Sequence, residues 1–408
     1  MRPPVDLCYH RAMATLRTYY DRPYLREAEA RVVSIEPVDQ SHINVILDHS
    51  IFYPDGGGQP CDTGTIAGLA VDRVEERGDV VVHRVCTGEA DSARLVVDAP
   101  VPCVVDLDAR IDRSEQHTAQ HLLSAVLVRM LDAHTLSFHL GAAWSSIDVD
   151  LPALERADAD AVEDEVTRII RDRYAVITHQ CPPEDPSGFP LRKDPAVEAA
   201  VLRVVEIDGI EYSACCGTHV ADTGALGAFR IVKTEKYKGG TRIHFVAGGR
   251  AYADYRRLAT LVRDSASAGL LAEDGLPAAI VGWRDRIKSL ELAVSDGNDR
   301  LAGLQARMLD EASAGGIVRS SSDSTDAATR LARALAGRGR VAIIACPTEF
   351  KVVAASPAVG AAGLDAGAVL GPVAKAHGGK GGGGRTFFQA AFPDIGTLEA
   401  FLAELASM

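Results

Sequence analysis

Two five-residue segments constrain this chain most: His117-Thr118-Ala119-Gln120-His121 and Cys215-Cys216-Gly217-Thr218-His219. In the first, two imidazoles four residues apart sit in a stretch that reads as a helix, so both project from one face. In the second, Cys215 and His219 repeat that spacing. Together they offer two or three imidazole nitrogens and one thiolate, a donor set that suits Zn²⁺. A lone His pair at this spacing is often just two neighbours on a helix, and the Cys–His pair is what turns it into a ligand set. His117, His121 and His219 are the imidazole candidates. Cys215 keeps the helix-like spacing to His219, and Cys216 reads as an ordinary buried thiol. No Glu of the HExxH kind lies between His117 and His121, which argues against a metalloprotease. If all four ligands bind, the tetrahedron is full, and zinc reaches a substrate only by expanding its shell or losing a ligand.

The rest of the chain bounds the setting. It has 408 residues, enough for two to four domains, with 47% hydrophobic and 24% charged residues, as in an ordinary globular protein. No apolar run is long enough for a transmembrane span, and Met1 to Asp6 lacks the apolar core of a secretory signal. Eight cysteines without a framework pattern fit reduced thiols and a cytoplasmic protein. A net charge of −13 argues against bulk electrostatic binding of nucleic acid but permits a local basic patch.

The pattern predicts an α+β multidomain protein in four parts. Residues 1–105 hold short apolar runs between Gly, Pro and Asp, which suggests a small β-barrel. Within it, Gly56-Gly57-Gly58-Gln59 is either a flexible loop tip or a bare backbone that must approach something closely. Residues 106–250 carry the metal candidates in an α+β layer structure. There, Asp112 or Ser114 is expected to cap a helix over 115–131, with a second helix over 161–174. Residues 251–335 read as helical. Their stripe of Ile280, Trp283, Ile287, Leu290, Val294, Gly297, Leu301, Leu304 and Met308 is a coiled-coil seam with one defect at Gly297. A helical hairpin or a homodimer would bury it, and Ser320 to Ser324 reads as a polar linker. Residues 336–408 form a small α/β unit with a glycine stretch flanked by Lys380 and Arg385. That stretch is either a flexible hairpin tip or a phosphate-contacting loop, and it is not a Walker loop.

A basic stretch follows the cysteine segment: Arg230, Lys233, Lys236, Lys238 and Arg242, opposed only by Glu235. Lysines at a strand edge also block unwanted pairing. Closeness to the metal candidates favours phosphate contacts that hold a nucleic-acid end there.

These motifs resemble those of the editing half of alanyl-tRNA synthetase. His117 to His121 with Leu122-Leu123 resembles the family's first metal motif. Cys215 to Val220 resembles the second, whose ligand thiol falls at Cys215. Tyr53 to Pro60 resembles the glycine motif before the editing domain, and Gly378 to Gly383 that of the C-terminal domain. With no room before them for an aminoacylation domain, the match is to the freestanding alanyl-tRNA editing proteins of the AlaX family, in their long form. Cys216 stands where the synthetase usually has glycine, and Gln120 where it tends to have Thr.

The resemblance implies a zinc-dependent hydrolase that removes serine, and in some members glycine, from mischarged tRNA(Ala). It implies Gln120, Thr135 and Ser137 as the groups that sense the amino acid, and nucleotide (ATP) binding by analogy with the synthetase. The basic stretch with Lys380 and Arg385 is then expected to hold the tRNA. Chemically the implication is coherent: serine exceeds alanine by one hydroxyl, which a packing-based pocket rejects poorly, so a second site must reward it. Two rivals remain, a zinc module that binds or delivers tRNA without catalysis and a general zinc esterase.

Overall fold

The computed structural model describes residues 14–88, 94–182, 188–193, 201–313, 315–358 and 364–407; Met1 to Asp6, read above for a signal, lie outside them. The fold is mixed α+β, and the chain divides into two compact units, residues 1–263 and 264–408.

The first unit begins with six strands, β1 (Glu27–Pro37), β2 (His42–Leu47), β3 (Gly64–Ile66), β4 (Leu69–Arg77), β5 (Val80–Cys86) and β6 (Pro100–Val105). They pair antiparallel in the order β1-β2-β5-β4-β3-β6, and β6 pairs back to β1, so the ring of strands closes on itself and leaves no free edge. Val32, Val45, Leu47, Ile66, Val74 and Val85 fill its interior. On β5 lies His83, fully buried, whose Nδ1–H donates to the Val45 carbonyl at 3.0 Å while Nε2 accepts from the Ser50 hydroxyl at 2.7 Å. Burial drives its pKa down from 6.5 to about 4. Because the folded value lies below that of the free side chain, the neutral imidazole contributes stability that is fully present above about pH 6.5. That stability is lost as pH falls towards 4, to the extent of about 3 kcal/mol. Urea midpoints measured from pH 7 to pH 4 should fall accordingly, and His83→Gln should flatten that slope. An equal slope in the variant would remove His83 as its source.

From the ring the chain enters α1 (Leu107–Leu131). Its N-cap is Asp106, whose carboxylate accepts from Ala109 N at 3.1 Å, and not Asp112 or Ser114 as the sequence suggests. The first two turns are short of apolar residues because they meet the ring through an ion pair: the buried Arg110 guanidinium binds the buried Asp62 carboxylate. Further along, Leu122, Leu123, Val126 and Leu127 are fully buried, each worth roughly 2 kcal/mol of transfer free energy. They pack beneath a four-stranded antiparallel sheet, β12-β13-β8-β7, made of β7 (Thr135–Leu140), β8 (Ser145–Val149), β12 (Phe229–Tyr237) and β13 (Gly240–Ala247). The Gln116 amide exchanges two 3.0 Å hydrogen bonds with the Ala247 backbone and pins α1 to β13. α2 (Arg156–Asp172) adds Val162, Val166, Ile169 and Ile170 to the same core. A second sheet, β9 (Val176–Cys181), β10 (Leu202–Ile207) and β11 (Glu211–Ala214), leads to the cysteine segment. α3 (Gly248–Ala268) follows.

In the second unit, α4 (Leu276–Ala312) runs unbroken through Gly297. It buries Ala302 and Ala306, and Ala306 packs on α5 (Thr325–Gly337), but its predicted stripe is exposed in this chain from Ile280 to Met308. The expected polar linker is partly strand: Ser320 and Ser321 end β14 (Ile317–Ser321), where their backbones pair with β15 (Val341–Cys346). The sheet order is β14-β15-β16-β18-β17, with β16 (Lys351–Ala355), β17 (Lys380–Gly383) and β18 (Phe387–Ala391), and α6 (Ala366–Ala376) and α7 (Ile395–Ser407) complete the unit. Lys380–Gly383 of the glycine stretch is therefore an edge strand, and Gly384 and Arg385 lie in the connection from it to β18. β18 lies so close that a Cβ on Gly381 would sit 2.1 Å from the Gln389 carbonyl. A strand in that position, followed by another strand and no helix, lends no support to ATP binding.

No helix among the described residues is long and apolar enough to cross a membrane. The cysteines among the described residues are all free.

Candidate metal centre

His117 and His121 project from one face of α1, and the turn after β11 brings Cys215 and His219 to them. The four donor atoms lie within 4.8 Å of one another. Cys215 Sγ is 3.4 Å from both His117 Nε2 and His219 Nε2. Ligands on a tetrahedral zinc, with Zn–S and Zn–N bonds of about 2.3 and 2.0 Å, stand about 3.5 Å apart, so the residues fit that ion. A second group, His42, Asp72 and Cys86, fits less well, because Arg84 occupies both Asp72 oxygens at 2.8 Å.

Burial alone would raise the Cys215 thiol, but the imidazoles of His117, His121 and His219 outweigh it and hold its pKa well below the usual thiol range. Burial likewise pushes His219 down to about 3. His121 goes the other way, to about 9, because Cys215 and the Glu211 carboxylate outweigh its burial. Glu211 Oε1 lies 3.7 Å from His121 Nδ1, too long for a hydrogen bond but close enough for charge pairing.

The loop from Cys215 to His219 passes so tightly over α1 that a Cβ on Gly217 would lie 2.2 Å from the His117 ring. Arg203 holds this loop, donating to the Cys215 and Gly217 carbonyls at 2.9 and 2.8 Å while its guanidinium stacks over Tyr20 at 4.8 Å. The glycine motif of the ring also reaches the centre. Gly57 and Gly58 turn the chain with φ of +56° and +80°, which delivers Gln59 into the interior beside His117.

The centre forms one wall of a cleft of about 700 Å³. Gln120, Thr135 and Ser137 line it. Gln120 Nε2 donates to Ser124 Oγ at 2.9 Å, and Ser124 is 2.6 Å from Thr135 Oγ1. Ser137 donates to Asp148 Oδ2 at 2.6 Å. Cys216, expected to be buried, is instead exposed on the cleft wall, and it is Gly217 that packs against the His117 ring.

None of the five residues of the basic stretch lines the cleft. Arg230 pairs with Asp254, Lys233 with Glu235 at 3.2 Å, and Arg242 with Asp148 at 2.6 Å. Lys236 is exposed, and Lys238 lies over the Tyr237 ring at 5.1 Å. Lys380 and Arg385 are exposed in the other unit. The cations that do line the cleft are Arg192, Lys193 and Arg203, which the sequence reading missed. Arg192 is tied to Glu211 at 2.7 Å, whereas burial and then Arg192 lower the pKa of Lys193. Arg203 sits alone on β10, and Arg192-Lys193 is a two-residue pair outside any longer basic run, joined to β11 where the Arg192 N–H donates to the Tyr212 carbonyl at 3.0 Å.

Residues 202–244 match the family described as the threonyl and alanyl tRNA synthetase second additional domain. The chain is 34% identical to the alanyl-tRNA editing protein Aarsd1 of Mus musculus over 242 residues, covering 56% of this chain and 57% of that one. It is 32% identical to the alanyl-tRNA editing protein AlaX-L of Pyrococcus horikoshii over 247 residues, 58% of each. The chain belongs to the AlaX-type family. An alanine–tRNA ligase of Methanoregula boonei is 29% identical over 407 residues, covering 95% of this AlaX-type chain but 43% of the ligase. The chain thus spans about half the length of the relatives it matches.

Proposed function

We propose that this chain is a trans-editing deacylase that hydrolyses the ester of mischarged tRNA(Ala) at a zinc site, chiefly the seryl ester, with the glycyl ester as the second candidate. The observation that carries the reading is the convergence of His117, His121, Cys215 and His219, three of which line the cleft that Gln120, Thr135 and Ser137 also line. The names of the editing relatives support it. Zinc, when bound, supplies a Lewis acid that polarises an ester carbonyl or a water.

The remaining work falls to the chain's own residues. Ser124 accepts from Gln120 and shares a proton with Thr135 Oγ1, a bond in which either hydroxyl can donate; in the proposed arrangement Ser124 is the donor. Thr135 is then free to donate into the cleft, and Gln120 presents its carbonyl oxygen there. A serine hydroxyl can accept from one and donate to the other, whereas alanine leaves both unmet. Ser137 has committed its proton to Asp148 and offers only acceptance. Lys193 adds a cation at the cleft for the terminal phosphates, with Arg230, Lys233, Lys236, Lys238, Arg242, Lys380 and Arg385 holding the more distant tRNA backbone. The four-part division, a cytoplasmic home and a homodimer through the exposed α4 stripe belong to the same proposal.

Seryl-, glycyl- and alanyl-tRNA(Ala) incubated with the protein should lose the seryl ester fast and the alanyl ester slowly. A zinc chelator should abolish the difference. Binding of all three without any shortening of ester lifetime would favour the non-catalytic module.

A further inference from the structure

We propose that Gln59 is a positioning residue for the metal centre, fixing the proton of His117 on Nδ1 so that Nε2 faces the metal. The inference rests on the zinc reading above and deepens it. Gln59 is buried, and its Oε1 lies 3.0 Å from His117 Nδ1 and 3.1 Å from the Thr218 backbone nitrogen. Its Nε2 lies 2.8 Å from Thr218 Oγ1.

These contacts leave one arrangement. The Thr218 N–H can only donate, so the amide atom beside it must be the oxygen. An amide oxygen can only accept, so the proton between it and His117 must sit on Nδ1. The lone pair of a neutral His117 is then on Nε2, the atom 3.4 Å from Cys215 Sγ.

The other two histidines are not constrained in this way. The Thr118 hydroxyl beside His219 Nδ1, at 3.1 Å, can either donate or accept. Glu211 stands 3.7 Å from His121 Nδ1, beyond hydrogen-bond reach. Among the described residues Gln59 is thus the partner that selects a tautomer without an alternative. It arrives from the ring of strands, far from the other ligands in sequence, and the Gly57–Gly58 turn is what admits it. Through that turn the glycine motif makes the ring part of the metal centre.

The test uses the full chain, with zinc alone as the probe. Competition against a chelator gives affinity, and ¹⁵N spectra of the histidine rings in the metal-free protein report the proton on His117. Gln59→Leu should weaken zinc binding about 10–100-fold and let His117 exchange between tautomers. Gln59→Glu, whose carboxylate can accept both N–H groups, should bind zinc within a few-fold of the parent. The far-UV spectrum establishes that each variant is folded. Zinc affinity in folded Gln59→Leu equal to the parent overturns the proposal, and so does a Glu variant as weak as the Leu variant. A parent chain that takes up no zinc overturns the metal reading instead, while the ring spectra still decide the tautomer.

Discussion

Replacing His121 by alanine is expected to release zinc and to stop ester hydrolysis together. His121 is buried, with its donor atom among the four that converge. A four-ligand zinc site is worth roughly 10–16 kcal/mol in all, so one ligand accounts for about 3 kcal/mol, or about 100-fold in affinity. The neighbours cannot make good the loss. Glu211 is already bound by Arg192 and Ser213, at 2.7 and 2.6 Å, and Cys216 points away into the cleft. At chelator-buffered zinc levels that saturate the parent, the variant should be metal-free and should leave seryl-tRNA(Ala) intact. Lower pH should act in the same direction on the parent, because protons compete for the imidazoles and the thiolate. Full hydrolysis by a zinc-free His121→Ala would sink the mechanism, whereas a variant that keeps both zinc and activity would show that three ligands suffice.

Much of this centre was legible because helix geometry is encoded locally. The spacing of His117 and His121 fixes a shared face wherever the helix packs, and the Cys215–His219 spacing repeats the pattern. The apolar stripe of α1 was readable for the same reason, but its start was not. Arg110 and Asp62 replace apolar contacts there, and a long-range ion pair leaves no periodic trace. Gln59 stood in a motif that drew notice, yet its partner lies 58 residues on, so only the closed chain reveals what it holds. Arg203 and Glu211 are likewise isolated in sequence and are placed by the paired strands β10 and β11, while Arg192-Lys193 is too short a basic run to draw notice. The basic stretch misled in the opposite sense. Counting its charges overlooked Asp148 and Asp254, which fold back to neutralise Arg242 and Arg230. The strand at Lys380 to Gly383 was unreadable because glycine is depleted in strands, and this one exists through the close approach of β18.

Arg110→Met is expected to produce the largest loss of stability in the first unit. The guanidinium is buried, bonded by Nε to Asp62 Oδ2 at 3.0 Å and by Nη1 to the Pro23 carbonyl at 3.1 Å, with Nη2 on the Ile51 carbonyl. Asp62 is fully buried too, and it also accepts from the Tyr53 backbone N–H at 2.5 Å. Removing the cation leaves the carboxylate in the interior with only Arg113 to balance it, whose Nη1 is 3.7 Å from the other oxygen, too far for a hydrogen bond. Breaking such a buried pair costs about 3–5 kcal/mol. In a unit of this size that lowers the melting temperature by roughly 6–20 °C. Adding Asp62→Asn to the same chain removes the stranded charge and should recover a large part of the loss, because replacing both members of a buried pair is far milder than removing one. The pair also ties α1, which carries His117 and His121, to the segment of the ring that delivers Gln59. Arg110→Met should therefore weaken zinc binding even at temperatures where it stays folded, and the double variant should restore zinc affinity alongside stability. If the single variant melts within about 2 °C of the parent, a shift far below that expected for a broken buried pair, the charge pair is not what holds the helix to the ring. If stability returns in the double variant but zinc affinity does not, Arg110 positions the metal ligands through its bonds to Pro23 and Ile51 and not through Asp62.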